Sequence, residues 1–172
     1  MDARRESDPT PMNNRTTVER KSGREVVVTR TFDAPARIVF EAWTTPELIK
    51  RWWVPKSMGM TLLSCEMDVR VGGKYRLVFD AAEPVAFFGT YVEVTPYSRL
   101  AWTNEESTDG AVTTVTFEER DGKTLLVMHE LYPSKEALDA AGTGAADATV
   151  ETFAQLDELL VNLGARRGPV SR

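Results

Sequence analysis

Two short helical patterns, each opened by a proline, interrupt a chain whose other apolar patterns predict β-strands. Asp33 precedes Pro35 by two residues, and an acidic cap followed by proline in the first turn predicts a helix start. Pro46 repeats the signal, and Pro55 predicts where the second helix ends. A helical insertion cannot lie within a sheet, so we expect this helical wedge (residues 32–56) to cover one end of it.

Seven segments are rich in β-branched and aromatic residues or alternate apolar with polar side chains, which predicts strands. Their bounds are 24–32, 58–67, 74–80, 85–94, 98–104, 111–119 and 124–132. The last six follow one another on short connections, so an antiparallel meander is expected. Gly89 falls inside the fourth segment, where a glycine predicts a bulge or a close approach of another backbone.

The C-terminal part changes to a helical period. Residues 134–141 predict a short helical turn, and apolar residues on one face of 145–163 predict a long amphipathic helix. At about 1.5 Å per residue, this helix is close to 30 Å long and crosses the whole sheet. The order predicts an α+β fold, in which a curved seven-stranded antiparallel sheet wraps around the C-terminal helix. A hollow is expected where sheet and helix separate.

The length of 172 residues predicts a single domain. Residues 1–22 are polar and almost free of large apolar side chains, which predicts a flexible N-terminal tail. Residues 165–172 predict a second tail by the same reasoning, so the domain is expected to span 23–164.

Charge and composition argue against several classes of protein. The formal net charge of -5 disfavours a general nucleic-acid or anionic-membrane binder. No apolar run approaches the ~20 residues that cross a bilayer, and the first 17 residues lack the apolar core of a secretory signal. Cys65 is the single cysteine, so an internal disulfide is excluded and a cytoplasmic location is expected.

Five sequence blocks resemble those of a known family. The chain is similar to the heat-shock-protein-90 ATPase activator homologue family, of the START/Bet v-type helix-grip superfamily (SRPBCC, polyketide cyclase-like). The resemblance covers about residues 24–163. It is carried by Arg30-Thr31-Phe32-Asp33-Ala34-Pro35, Ala42-Trp43-Thr44-Thr45-Pro46-Glu47, Arg51-Trp52-Trp53-Val54-Pro55-Lys56, Cys65-Glu66-Met67-Asp68 with Val71-Gly72-Gly73, and Val115-Thr116-Phe117 with Gly122-Lys123-Thr124.

The resemblance implies a helix-grip fold with an internal cavity for an apolar or amphipathic small molecule. Relatives commonly carry a Gly-Trp pair in the first turns of the final helix. This sequence has Ala148-Thr149 there. An indole that would reach toward the cavity is absent, so the ligand of a relative does not transfer to this chain.

His129 is the only histidine and a candidate ligand-contacting or proton-transferring residue. Both faces of its strand are apolar, so the alternation leaves open which face lines the cavity. The competing interpretation is a strand histidine satisfied by a neighbour or solvent. Nothing in the sequence brings Cys65 and His129 together as a nucleophile and its base. With one histidine and one cysteine, no metal site is expected, and no nucleotide loop or other cofactor motif is present.

Large aromatic residues are the remaining candidates for a cavity wall, with ordinary core packing as the alternative. Of the tryptophans in the wedge, Trp53 is expected nearest the cavity rim. The predicted ligand-binding set is Trp53, Phe88, Tyr91, Trp102, His129 and Phe153.

Three functions remain open. The first is binding of a hydrophobic small molecule in the cavity. The second is a cyclase- or aromatase-like enzyme in which His129, Tyr91 or Tyr132 moves protons, with no catalytic residue assigned. The third is a protein-interaction module, as the family name implies. An exposed edge strand would also permit a homodimer.

Overall fold

The computed structural model describes residues 16–80, 85–141 and 144–171. Its strands are β1 Thr17–Arg20, β2 Glu25–Phe32, β3 Leu62–Met67, β4 Lys74–Phe79, β5 Val85–Thr95, β6 Arg99–Thr103, β7 Val112–Arg120 and β8 Lys123–Leu131. Its helices are α1 Ala36–Thr44, α2 Pro46–Ile49, α3 Lys135–Ala141 and α4 Gly144–Ser171, with a 3-10 turn at Lys56–Met58.

The strands form one antiparallel sheet in the order β1-β2-β8-β7-β6-β5-β4-β3. The predicted α+β helix-grip arrangement is confirmed, with eight strands among the described residues instead of seven. The additional strand is β1, where Thr17 pairs with Thr29 and Arg20 with Val26. The predicted tail over 1–22 is therefore wrong for Thr17–Arg20, because pairing with β2 orders a segment that buries little of its own surface. Residues 1–15 lie outside the described part of the chain.

The C-terminal helix is longer than predicted. Helix α4 continues to Ser171, so the expected tail from residue 165 is helical over its described part. It packs on β1 and β2 and touches α1. The inward face of β2 alternates strictly with the outward face and supplies Val26, Val28 and Phe32 to the core. Phe32 meets Phe153 of α4 edge to face, with ring centroids 5.6 Å apart.

The helical wedge covers the sheet from the same side as α4, with α1 against β7 and β8. Asp33 does not cap α1 as predicted. Pro35 is the N-cap residue, and the backbone N–H of Ala36 donates instead to Oε1 of Glu119 on β7, at 3.0 Å. The indole N–H of Trp52 donates to the carbonyl of Ala42 at 3.0 Å, which ties the two arms of the wedge together.

Two glycines account for the start of β3 and for the close approach of β5 to β6. β3 starts at Leu62 rather than near residue 58, because the 3-10 turn ends at Gly59 with a positive φ of 68°. The close approach predicted at Gly89 is confirmed, since a Cβ there would overlap the carbonyl oxygen of Thr103.

Candidate functional site

A cavity of about 740 Å³ lies between the sheet, the helical wedge and the two C-terminal helices. Strands β4 to β8 form its floor, and the segment from Trp52 to Met58 forms one side. The roof comes from α3 and from the first turns of α4, where Ala148, Thr149 and Thr152 face the space. Small side chains at these roof positions keep the space open.

Large aromatic side chains form a substantial part of the cavity wall. The eight aromatic residues that line it are Trp43, Trp52, Trp53, Phe79, Phe87, Trp102, Tyr132 and Phe153. They also contact one another: Trp43 lies within 6.0 Å, centroid to centroid, of Trp52, Trp53, Trp102 and Phe153. Phe79 and Phe87 stack at 4.9 Å near the open side, where Phe87 is exposed. The wall is thus rigid and apolar.

Glu130 is the carboxyl group on the cavity floor. It pairs across the sheet with Val26 on one side and Thr113 on the other, both of which are almost fully buried. Burial raises the pKa of the Glu130 carboxyl group, and a hydrogen bond with Tyr132 opposes that rise only in part. Burial and the nearby carboxyl group also raise the pKa of Tyr132. The pair can accept, donate or exchange a proton with a bound molecule.

Two further polar side chains are already engaged with the protein. The amide of Asn104 donates to the carbonyl of Ala111 at 2.6 Å and to Oγ1 of Thr113 at 3.0 Å. These bonds hold the loop between β6 and β7 against the floor. Asn104 and Thr113 therefore shape the cavity, while Glu130 and Tyr132 add polar groups to its floor.

Three of the six predicted ligand-binding residues line this cavity: Trp53, Trp102 and Phe153. Trp53 is half-buried, whereas Trp43 and Trp52 are 2% and 1% exposed. Tyr91 is buried and borders a void of about 40 Å³ that shares Trp43 and Trp102 with the cavity. It does not face the main space.

His129 and Phe88, which belong to the predicted ligand-binding set, do not line this cavity. Each lies one position out of phase with the inward side chains of its strand. His129 is on the outer face, where Nε2 lies 2.8 Å from Oε2 of Glu25. Phe88 lines an open groove of about 530 Å³ on the outer face, together with Glu66 and Arg76. The contact with Glu25 agrees with the competing interpretation, in which His129 is a strand histidine satisfied by a neighbour.

Sequence reasoning did not single out Glu130. The available signal was its alternation with Leu126 and Met128, which puts all three on one face of β8, where Leu126 and Met128 are buried. A charged residue in phase with buried neighbours is a candidate for a carboxyl group with a perturbed pKa.

Cys65 lies far from His129, with strands β4 to β7 between their two strands in the sheet. Burial raises the pKa of the Cys65 thiol to about 11, so the thiolate is scarce near neutral pH. Among residues 16–80, 85–141 and 144–171, no three His, Cys, Asp or Glu side chains are grouped as a metal site would require. None of the helices in these ranges combines the length and hydropathy needed to span a bilayer.

Comparisons with solved structures agree with the fold. A protein from Rhodobacter sphaeroides is similar with a TM-score of 0.79 and 24% identity, over 87% of this chain and 99% of that one. A protein from Nitrosomonas europaea is similar with a TM-score of 0.75 and 22% identity, over 85% and 99%. A protein from Staphylococcus epidermidis has a TM-score of 0.71 and 25% identity, over 85% and 94%.

Among curated protein sequences, none matches this chain significantly. The sequence does match a family profile over residues 33–161, which covers the wedge, the sheet from β3 to β8 and most of α4. The predicted family is thereby confirmed: the chain belongs to the family described as Activator of Hsp90 ATPase homolog 1-like protein.

Proposed function

We propose that this protein binds an apolar or amphipathic small molecule in the cavity between its sheet and C-terminal helix. The observation that carries the proposal is the cavity of about 740 Å³, a volume in the range of small-molecule sites. Its aromatic wall and few polar groups match the composition of such sites. The fold class, whose members bind hydrophobic ligands, supports the same function.

A second observation concerns Trp43. Its indole N–H is buried and has no hydrogen-bond partner among the described residues. Buried donors are rarely left unpaired in folded proteins. A bound ligand or water that accepts this hydrogen bond would complete the site.

We also propose a cytoplasmic location, since the single cysteine, Cys65, is unpaired and fits a reducing compartment.

The test uses N-phenyl-1-naphthylamine, a neutral dye whose fluorescence rises in apolar surroundings. We expect saturable binding of about one dye per chain and displacement by decanol. Native mass spectrometry of the freshly purified protein would show whether a small molecule comes with it. If the dye does not bind and decanol produces no thermal shift, the binding function is refuted.

A second candidate function is an enzyme of the cyclase or aromatase kind. Tyr132 beside Glu130 on the cavity floor favours it, because the pair can transfer a proton to or from a bound substrate. His129 and Tyr91 do not take this role, since neither lines the main cavity. Turnover of a co-purified ligand that Tyr132→Phe abolishes would favour the enzyme over the binding protein.

A further inference from the structure

Among the described residues that line the cavity, every charged one is acidic. Among its described lining residues, three carry carboxyl groups, namely Glu106, Asp109 and Glu130. The same residues include no lysine, arginine or histidine. A ligand with a carboxylate would therefore lose its hydration in the cavity without gaining a counter-charge, which is costly.

Three basic residues, Arg30, Lys74 and His129, are engaged away from the cavity. Arg30 is buried beneath α4, where it lies 3.6 Å from Asp157 and donates to Thr16. Lys74 lines the outer groove and donates to Oγ1 of Thr90 at 3.0 Å. His129 pairs with Glu25 on the outer face. None of them is positioned to neutralise an anion inside.

Glu130 lacks a lysine or arginine partner among the described residues. The groups that act on it are Tyr132, through a hydrogen bond, and His129, through a charge effect from the other side of the sheet. A desolvated carboxylate without a counter-charge is costly, so a cation beside it is favoured. A positively charged ligand would supply that cation at the floor of the cavity.

The aromatic wall suits the same kind of ligand. All four tryptophans of the chain line the cavity, and tryptophan is the aromatic side chain that attracts a cation most strongly. The effect grows when the cation is desolvated, as it would be here. An apolar body attached to the charge would fill the remaining space.

The opening of the cavity also carries negative charge. Glu106 and Asp109 are exposed on the loop between β6 and β7, and both border the cavity. The backbone N–H of Phe88 donates to Oε2 of Glu106 at 2.8 Å, which holds this carboxylate at the rim. Negative charge at an entrance raises the local concentration of cations and hastens their entry.

From these observations we propose that the natural ligand is a hydrophobic amine or quaternary ammonium compound, whose positive charge Glu130 and the tryptophan wall recognise. The inference rests on the proposed binding function and names the chemical class of its ligand. Glu130 sets the charge preference, and the aromatic wall accommodates both the cation and its apolar body.

Three ligands of equal chain length test the preference: decylamine, which is protonated at neutral pH, decanol, and decanoate. Each displaces N-phenyl-1-naphthylamine from the full chain below its micelle concentration, at pH 7.5 and low salt. We expect decylamine to bind at least about tenfold more tightly than decanol, and decanoate more weakly than both. Equal affinities, or tighter binding of decanoate, would overturn the charge preference while leaving small-molecule binding intact. Failure of the dye and of all three ligands would instead refute the binding function itself.

Glu130→Gln keeps the shape and polarity of the side chain and removes its charge. We expect it to reduce the preference for decylamine over decanol to less than about threefold. The matched control is Glu118→Gln, because Glu118 is exposed on β7 and lies opposite Leu125 on the outer face. It should keep the full preference. If Glu130→Gln retains the preference of the natural chain for decylamine over decanol, Glu130 is not the group that recognises the charge of the ligand.

Discussion

Gln155 of helix α4 holds the Lys56 backbone, 99 residues earlier in the chain, through a 2.8 Å hydrogen bond from the Lys56 N–H to Oε1. The same side chain donates from Nε2 to the carbonyl oxygens of Trp52 and Val54, at 3.1 and 2.9 Å. One buried amide thus satisfies three backbone groups of a segment that has little secondary structure. This segment forms one side of the cavity, so Gln155 couples the helix to the cavity wall.

Gln155→Ala leaves one N–H and two carbonyl groups of the wedge without their partner. We expect the free energy of unfolding to fall by on the order of 2 kcal/mol, because unpaired backbone groups must be desolvated or must open to water. Urea denaturation followed by tryptophan fluorescence measures the change. Glu158→Ala, on the exposed side of the same helix, is the matched control and should change the stability little. A loss no larger than that of the control would contradict the role of Gln155.

Gly89→Ala tests the close approach of β5 to β6. An added Cβ would overlap the Thr103 carbonyl and lie 2.8 Å from the hydroxyl of Tyr75, which itself donates to that carbonyl. We expect a loss of on the order of 1–3 kcal/mol of stability from the forced backbone shift. Gly23→Ala serves as control, because its Cβ would meet only the side chain of Lys135 at 3.5 Å or more. Equal thermal stability of the two variants would argue against the constraint.

The strand and helix order was predictable because both periods are local. Alternation in β2 and the helical spacing in α4 each report a single buried face, and a chain with these patterns in this order has few ways to bury them. The strand β1 was not predictable, because Thr17–Arg20 is mostly exposed and owes its order to pairing with β2. The cap of α1 was missed for a related reason: Glu119, the group that binds the Ala36 N–H, is 83 residues away.

The site was predictable only in part. Large aromatics such as Trp102 and Phe153 have to face the interior, and interior residues near a hollow also line it. The face of β8 could not be chosen, because Leu125 and Val127 on the outer face are as apolar as Leu126 and Met128 on the inner one. The choice of face decides whether His129 or Glu130 lines the cavity. It depends on which side of the sheet α4 and the wedge cover.

Glu130→Gln is expected to stabilise the unliganded protein at neutral and alkaline pH. Burial raises the pKa of Glu130 in the folded state above the ordinary value of 4.5. Below that ordinary value both states hold the proton, and no stability is lost. As the pH rises toward the raised folded pKa, the unfolded chain releases the proton first, so the stability of the natural chain falls. The variant has no such loss.

We therefore expect the natural chain and Glu130→Gln to have similar melting temperatures near pH 4.5. The difference should grow as the pH rises above this value. At pH 8 the variant should melt at a higher temperature than the natural chain, because only the natural chain loses stability when its unfolded state releases the proton. Differential scanning calorimetry at both pH values makes the comparison. A variant that melts lower than the natural chain at pH 8 would show that the Glu130 charge is stabilised in the folded state.

His129→Gln should leave the affinity of the cavity for N-phenyl-1-naphthylamine unchanged. The imidazole faces away from the cavity and pairs with Glu25. This pairing lowers the pKa of the Glu25 carboxyl group, so it stabilises the fold above the ordinary glutamate pKa, and this stabilisation vanishes as the pH falls. The variant loses this contribution to the free energy of unfolding. Dye titration of the variant at pH 7.5 provides the check. A clear change in affinity would mean that the outer face of β8 communicates with the cavity.

Thr149→Trp tests whether the open roof of the cavity depends on the small residues at the start of α4. Thr149 lines the cavity. A tryptophan here would occupy space that a ligand needs, so we expect the affinity for the dye to fall by at least about tenfold. The matched control is Val150→Trp, because Val150 is the next residue of the helix and is 43% exposed. That variant should bind the dye normally. Unchanged binding by a folded Thr149→Trp would place the dye away from the roof of the cavity.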